Sequence, residues 1–187
     1  TSGNNLNKTE SQKPLVLSMT ASVKIPESMF FAGEKITFDR YDKYERMDRE
    51  LNSFTYFHST TLLLLKRANR FFPIIEPILK QQGLPDDLKY LMVIESSLDP
   101  RAVSPAKAVG LWQFLQSTGK QYGLEVTSEV DERYHIEKST VAACRYLKDV
   151  YGKHGSWSAA ALSYNGGQTR ITTALREQRA EEALDLW

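Results

Sequence analysis

One carboxylate of this 187-residue chain lies in a setting that suits acid–base chemistry. Leu88, Leu91 and Met92 precede Glu95 at helical spacing, which places the carboxyl group on an otherwise apolar helix face. Apolar surroundings raise the pKa of a carboxyl group, and a glutamic acid that keeps its proton near neutral pH can act as a general acid. Glu95 is therefore a candidate catalytic acid. The alternative is an ordinary surface glutamate, and this helix alone does not distinguish the two.

The helix that carries Glu95 has predictable ends. Pro85 suits the first helical turn, where its missing N–H is not needed, and the two aspartates that follow it suit the positive end of the helix dipole. Asp99-Pro100 predicts the end of the helix, because a residue before proline resists the helical conformation. Glu95 would then lie near the negative end of the dipole, which also favours the protonated carboxyl.

Further motifs follow Glu95 in a fixed order. They are Glu95-Ser96, Ser104, Gly110-Leu111-Trp112-Gln113-Phe114 and Ser163-Tyr164-Asn165-Gly166-Gly167. Together they resemble the signature of lytic transglycosylases, and more specifically the family 1 catalytic domain of soluble and membrane-bound murein transglycosylase D-like enzymes. The resemblance covers the chain from about Phe71 onward. It implies a mainly α fold of the lysozyme-like class, as in goose-type lysozyme, with a helical extension before it.

The resemblance also implies roles for the motif residues. Glu95 would be the catalytic acid and base, and substrate would be bound by Ser104, Gln113, Tyr164, Asn165 and Gly110. Ser104 would hydrogen-bond the reacting sugar, and Gln113 would donate to substrate. Tyr164 would face the catalytic glutamate and hold its carboxyl group.

Ordinary structural explanations stand beside these roles. Ser104 is also a typical turn residue before proline, and Gln113 could be an amide on a helix surface. Leu111 and Trp112 are more typical of a core than of a sugar contact, and Ser96 favours a structural role.

Glycosidic cleavage usually requires two carboxylates, and here only Glu95 has a suitable setting. Asp99 lies beyond the predicted helix, and Asp131-Glu132 lies in an irregular segment. A single acid fits the substrate-assisted exception, in which a substrate acetamide replaces the enzyme nucleophile. The resemblance implies this mechanism for the β-1,4 bond between N-acetylmuramic acid and N-acetylglucosamine, with a 1,6-anhydromuramic acid product.

Two other functions stay open. A lysozyme-type hydrolase would use water in place of the sugar hydroxyl, and product chemistry separates it from a transglycosylase. A non-catalytic glycan-binding or scaffold protein would keep the groove without the reaction. The acid and binding residues at Glu95, Ser104, Gln113 and Tyr164 argue against a binding module, which needs no buried acid.

Composition excludes several classes of partner and cofactor. The net charge of +1 gives no strong attraction to nucleic acid, and no apolar run is long enough to span a bilayer. The single cysteine, Cys144, has no partner for an internal disulfide and is predicted to be buried. His58, His135 and His154 lack the spacing of metal ligands, so we expect no metal and no cofactor.

The resemblance implies peptidoglycan glycan strands as the partner and the periplasm or cell envelope as the location. We expect a monomer. No signal peptide or lipid anchor is evident in this sequence. Three departures from the family pattern stand out: Ser163 replaces alanine, His135 replaces aspartate, and relatives usually continue past the position of Trp187 with another active-site tyrosine.

The sequence predicts three regions: a tail and extended arm over 1–37, a helical extension over 38–83, and a catalytic domain over 84–187. Before the catalytic domain we expect a flexible tail to Pro14, a turn at Ala32-Gly33 and a helix from Phe38 to Phe72 that is buried at Leu62–Leu65. A break at Pro73 should precede a short helix to Gln82, with a C-cap at Gly83. In the catalytic domain we expect an N-cap at Ser117, a small hairpin around Glu125–Tyr134, and helices over 139–153, 157–163, 168–179 and 181–187. No convincing strand pattern is present elsewhere.

Overall fold

The computed structural model describes residues 23–56, 58–167 and 172–173. Its elements are β1 (Ser28–Phe31), β2 (Glu34–Thr37), α1 (Tyr41–Tyr56), α2 (His58–Gln81), a 3-10 helix (Asp86–Tyr90), α3 (Leu91–Ser96), α4 (Gln116–Gln121), a second 3-10 helix (Glu132–Tyr134), α5 (Ile136–His154) and α6 (Trp157–Gly166). The predicted mainly α class is confirmed. Within the described part, none of the helices has the length and apolar character to cross a bilayer.

The hydrophobic core joins α2, α3, α5, α6 and the loop before α4. Phe71, Ile75 and Leu79 form the buried stripe of α2, and α5 packs against both α2 and α6. Trp112 and Leu147 are fully buried in the same cluster. The predicted boundary at residue 83 stays a prediction, although the second half of α2 shares this core.

The predicted break at Pro73 is wrong, because α2 runs without interruption through Pro73 and Pro77. Each proline removes one helical hydrogen bond, to the carbonyl group of Asn69 or of Pro73. Asn69, Pro73 and Pro77 are all exposed and lie along one helix face, so water can satisfy those carbonyl groups. Burial of the opposite face holds the helix together across both prolines.

The predicted burial of the leucine run at the start of α2 is also wrong. Leu62, Leu63 and Leu65 are 55%, 47% and 57% exposed. Packing requires a partner as well as an apolar run, and the buried core residues of α2 lie in its second half, from Phe71 onward.

Gly83 ends α2 as predicted. Its φ of +70° is the left-handed conformation that favours glycine. The N–H of Gly83 donates to Lys80 O at 3.0 Å, and the N–H of Leu84 donates to Leu79 O at 2.9 Å. This is the Schellman arrangement, with its hydrophobic contact between buried Leu79 and Leu84.

A β-hairpin precedes the helices where the sequence predicted an arm with little regular structure. β1 and β2 pair antiparallel from Ser28↔Thr37 to Phe31↔Glu34. The predicted turn is confirmed, because Ala32 and Gly33 both have positive φ, as a type I′ hairpin turn requires. The strands escaped prediction because four residues each are too few for a clear alternating pattern.

Later predictions are mixed. α5 and α6 are present, Gly155 ends α5 with a φ of +66°, and Cys144 is fully buried. The N-cap predicted at Ser117 is wrong, because α4 begins at Gln116 and the cap position is held by Leu115, two residues earlier. Between Glu125 and Tyr134 there is one bridge, Val126↔Asp131. The tail to Pro14 and the helices over 168–179 and 181–187 lie outside the described residues, except that 172–173 are helical.

Candidate active site

Glu95 occupies the last turn of α3, the position that its sequence predicts relative to the helix end. The helix stops at Ser96, earlier than the proline at residue 100 suggested. Ser97 and Leu98 adopt left-handed backbone conformations with φ of +51° and +55°. Leu98 is fully buried, so burial of its side chain accompanies this sharp turn.

The Glu95 carboxyl group is half-buried and has one hydrogen-bond partner within the described residues. Burial raises the pKa of Glu95 above its usual value of 4.5, and a hydrogen bond from Asn165 partly opposes this effect. The Asn165 Nδ2 atom lies 3.4 Å from Glu95 Oε1. The described lysine and arginine side chains form no ion pair with Glu95, so none of them offsets the effect of burial on its pKa.

The other carboxylates considered from the sequence have structural partners. Asp99 pairs with Arg67 at 3.1 Å and accepts a hydrogen bond from the Arg101 N–H. Asp131 accepts two hydrogen bonds from the Arg133 guanidinium. These pairings leave Glu95 as the carboxyl group of this set that can exchange a proton with a ligand.

The Glu132 carboxylate also has structural partners. It pairs with Lys138 and accepts a hydrogen bond from the Glu125 N–H. That backbone hydrogen bond, followed by the lysine, lowers the pKa of Glu132, so this carboxylate stays ionised at neutral pH.

Ser96 fixes the loop that follows α3. Its hydroxyl group lies 3.0 Å from Met92 O and 2.9 Å from Leu111 O, and the residue is buried. Leu111 and Trp112 are also buried, and the Trp112 indole N–H donates to Thr140 Oγ1 at 2.9 Å. The structural roles predicted for Ser96, Leu111 and Trp112 are confirmed.

Gln113 lies in a tight turn of this loop, so the alternative explanation, an amide on a helix surface, is wrong. Its φ is +48°, and its Nε2 atom donates to Gly110 O at 2.9 Å and Ala102 O at 3.2 Å. These bonds use both amide hydrogens. Donation to a substrate would therefore require one of them to open.

Ser104 lies in the same loop and keeps a hydrogen to donate. Its Oγ accepts from the Ala108 N–H at 3.1 Å, and its own N–H donates to Ala108 O at 2.9 Å. The hydroxyl hydrogen is not used by these contacts, so it is available to donate to a ligand. In the described part of the chain, no hydrogen bond joins Ser104 or Gln113 to Glu95.

Arg133 binds the backbone of this loop, a role that was not predicted from the sequence. Its buried guanidinium binds Asp131 and donates to Phe114 O at 3.1 Å and Lys107 O at 3.2 Å. Its carbonyl oxygen would lie 2.3 Å from a Cβ atom at Gly110. Gly110 is thus required for packing against Arg133, a constraint that only the folded chain creates.

Tyr164 packs against the loop before α4, and its hydroxyl does not donate to the Glu95 carboxyl group, contrary to the prediction. Its hydroxyl group has one hydrogen, which it donates to Trp112 O at 2.7 Å. Its ring meets those of Trp112, Phe114 and Tyr146 edge to face. Burial, and then the charge of Glu95, raise the pKa of Tyr164 well above 10, so it stays a neutral donor.

Ser163, one of the departures from the family pattern, carries an unfavourable hydroxyl group. The residue is fully buried, and its Oγ has no hydrogen-bond partner among the described residues. We expect Ser163→Ala to stabilise the protein by about 1 kcal/mol, because it removes a buried unpaired polar atom. Chemical denaturation measures this, and a loss of stability would show that the hydroxyl is satisfied in solution.

The histidine, cysteine and carboxylate side chains of the described residues form no cluster that could hold a metal ion. His135 pairs with Glu137 at 3.1 Å on the surface.

Comparison with known proteins supports the resemblance. Residues 72–186 match the family described as the transglycosylase SLT domain. The chain is 32% identical over 145 residues to membrane-bound lytic murein transglycosylase D of Escherichia coli K12, covering 76% of this chain and 31% of that protein. It is 24% identical over 172 residues to membrane-bound lytic murein transglycosylase C of Pectobacterium atrosepticum, covering 82% of this chain and 48% of that protein.

A third relative is peptidoglycan transglycosylase gp16 of Escherichia phage T7, which is 36% identical over 88 residues, covering 46% of this chain and 7% of that protein. The chain therefore spans about a third to a half of the two bacterial relatives. The family match covers more than half of the chain and includes every predicted site residue. With its lysozyme-like, mainly helical fold, this chain belongs to the transglycosylase SLT domain family.

Proposed function

We propose that this protein is a peptidoglycan lytic transglycosylase with Glu95 as its single catalytic acid and base. The observation that carries the proposal is the setting of Glu95: half-buried, without a basic partner in the described residues, and hydrogen-bonded by Asn165. The other carboxylates considered, Asp99, Asp131 and Glu132, are held by structural partners. Membership of the SLT family and the names of the relatives support the same reaction.

In this mechanism protonated Glu95 donates its proton to the glycosidic oxygen, and the bond from that oxygen to the anomeric carbon of N-acetylmuramic acid breaks. The substrate acetamide stabilises the positive charge on that carbon, as in other substrate-assisted glycosidases. The Glu95 carboxylate then takes the proton of the sugar 6-hydroxyl, whose oxygen attacks the anomeric carbon. The products are a 1,6-anhydro end and protonated Glu95, without consumption of water.

We propose that the loop before α4 and the end of α6 bind the glycan. Ser104 is the donor toward the sugar, because its hydroxyl hydrogen is not used within the loop. Gln113 and Gly110 shape the loop, and Asn165 orients the acid through the contact with Glu95. Tyr164 supports the loop through the Trp112 carbonyl group.

We further propose that the substrate is peptidoglycan glycan strands and that the protein works in the bacterial cell envelope. The names of the relatives support both statements, since they describe membrane-bound enzymes of murein. The monomeric state stays a prediction.

Product analysis tests the proposal. Purified peptidoglycan is incubated with the protein, and the released muropeptides are identified by mass spectrometry. We expect products that end in 1,6-anhydromuramic acid. Reducing-end products, which are heavier by one water, would instead establish the lysozyme-type hydrolase. Binding without any product would support the non-catalytic glycan-binding protein.

The pH dependence of cleavage should follow the protonation of Glu95. A general acid must carry its proton, so kcat/KM on soluble glycan strands should fall as pH rises through the folded-state pKa of Glu95, above 4.5. The Asn165 hydrogen bond lowers that pKa, so Asn165→Ala should move the falling limb to higher pH. A limb that stays in place would mean that another group controls this side of the profile.

A further inference from the structure

The tip of the β-hairpin, residues 32–34, contacts two elements that lead to the candidate active site. At one side, the Ala32 N–H donates to Asp87 Oδ2 at 2.7 Å. Asp87 belongs to the 3-10 helix that continues directly into α3. At the other side, the Glu34 carboxylate accepts hydrogen bonds at the start of α6.

Glu34 serves as a helix cap from a distant part of the sequence. Its oxygens accept from the Trp157 N–H at 2.5 Å and from the Ser158 N–H and Ser156 hydroxyl at 3.1 Å. Burial alone would raise the pKa of Glu34, but hydrogen bonds from residues 156–158 hold it below its usual value. The carboxylate is thus charged at neutral pH and lies where the helix dipole stabilises it.

The two supported elements meet again at their other ends. Glu95 lies in the last turn of α3, Asn165 lies in the last turn of α6, and their side chains are in contact. The rise from Asp87 to Glu95 is about 13 Å, and the rise from Trp157 to Asn165 is about 12 Å. Two helical segments of nearly equal calculated length therefore connect the hairpin tip to Glu95 and Asn165.

The hairpin lies outside the part of the chain that matches the family, which begins at residue 72. Its tip is built for this contact. The positive φ of Ala32 and Gly33 makes the tight turn that presents the Ala32 N–H and Glu34 to different elements, and Ala32 is buried.

We propose that the hairpin tip is a positioning device for the acid, in which Glu34 sets α6 relative to α3 and so holds Asn165 against Glu95. Glu34 touches no reacting atom and acts through Asn165. The inference rests on the proposed transglycosylase function for its kinetic test.

A double-mutant cycle on kcat/KM tests the proposal. We expect Glu34→Ala to lower kcat/KM on glycan strands about 10-fold, because small displacements of a catalytic group are costly. In an Asn165→Ala background the same substitution should have little further effect, since the contact that Glu34 maintains is already absent. Glu34→Gln, which keeps an acceptor at the helix start, should restore part of the activity.

Two controls separate positioning from general loss of stability. Lys35→Ala changes an exposed residue of the same strand and should leave kcat/KM unchanged. Arg145→Met removes a hydrogen bond from α5 to Tyr122 O and reports what loss of a structural contact does to activity. Equal losses from Glu34→Ala in both backgrounds, or no loss in either, would overturn the proposal.

A spectroscopic readout does not depend on catalysis. Glu34→Ala should shift the NMR signals of the Asn165 side-chain amide and the Glu95 backbone amide more than Lys35→Ala does. Unshifted signals would refute the positioning role. Absence of anhydro products from the unsubstituted protein would instead reject the proposed function and leave this structural test standing.

Discussion

Glu95→Gln is expected to lower the rate of anhydromuropeptide release about 10²- to 10⁴-fold, the usual contribution of a general acid. The glutamine is isosteric and can still accept the hydrogen bond from Asn165, so the geometry of the site should be retained. It has no proton to give to the leaving oxygen and no base to accept one from the 6-hydroxyl. The rate is measured by mass spectrometry of products from purified peptidoglycan.

The fold of this variant should be at least as stable as the original at neutral pH. The folded-state pKa of Glu95 is raised, so its protonated form favours folding below the unfolded pKa, and this contribution is lost as pH rises through the folded pKa. Glutamine stays neutral throughout. The stability difference between the two proteins should therefore appear near neutral pH and shrink in acid.

Glu132→Gln is the matched control for the loss of activity. Glu132 is paired with Lys138, and its pKa is lowered, so it has the opposite environment to Glu95. We expect its removal to leave product release within a few-fold of the original. Equal losses for both substitutions, or an active Glu95→Gln, would reject Glu95 as the acid.

Gly110→Ala is expected to destabilise the protein by about 2–5 kcal/mol, the largest structural effect that we predict. The alanine would adopt a φ of +78°, which costs about 1–2 kcal/mol for a residue with a side chain. Its Cβ would also lie 2.3 Å from Arg133 O, so the backbone must move at a further cost of about 1–3 kcal/mol. Chemical denaturation measures the sum.

Gly83→Ala isolates the cost of the collision. Gly83 has a similar φ of +70°, and no atom lies within 4 Å of the position that its Cβ would take. We expect this variant to lose only about 1–2 kcal/mol. If the two variants are equally stable, the contact between Gly110 and Arg133 is not tight in solution.

Activity should distinguish the two glycine variants even where both are folded. Gly110 shares hydrogen bonds with Ala102 and Gln113 in the loop that also carries Ser104. A displaced loop would weaken the proposed glycan contacts, so product release should fall more for Gly110→Ala than for Gly83→Ala. Assays well below each unfolding transition make this comparison.

Much of the site could be predicted from the sequence because its features are local. The apolar spacing before Glu95, the proline that begins its helix and the glycine that ends α2 each depend on a few neighbouring residues. The order of the motifs then identified the family, which the comparison confirmed. Burial of Trp112 and the structural role of Ser96 also followed from residue type.

Tertiary structure decided what local patterns cannot contain. α2 continues through Pro73 because its buried face supplies more stabilisation than two missing hydrogen bonds remove, whereas most of the apolar run at Leu62–Leu65 is not covered by the described residues. Arg133 and Glu34 have no distinctive sequence context, since their partners lie up to 124 residues away. The sequence by itself indicated Glu95 as the candidate acid, and only the folded chain determined which contacts surround it.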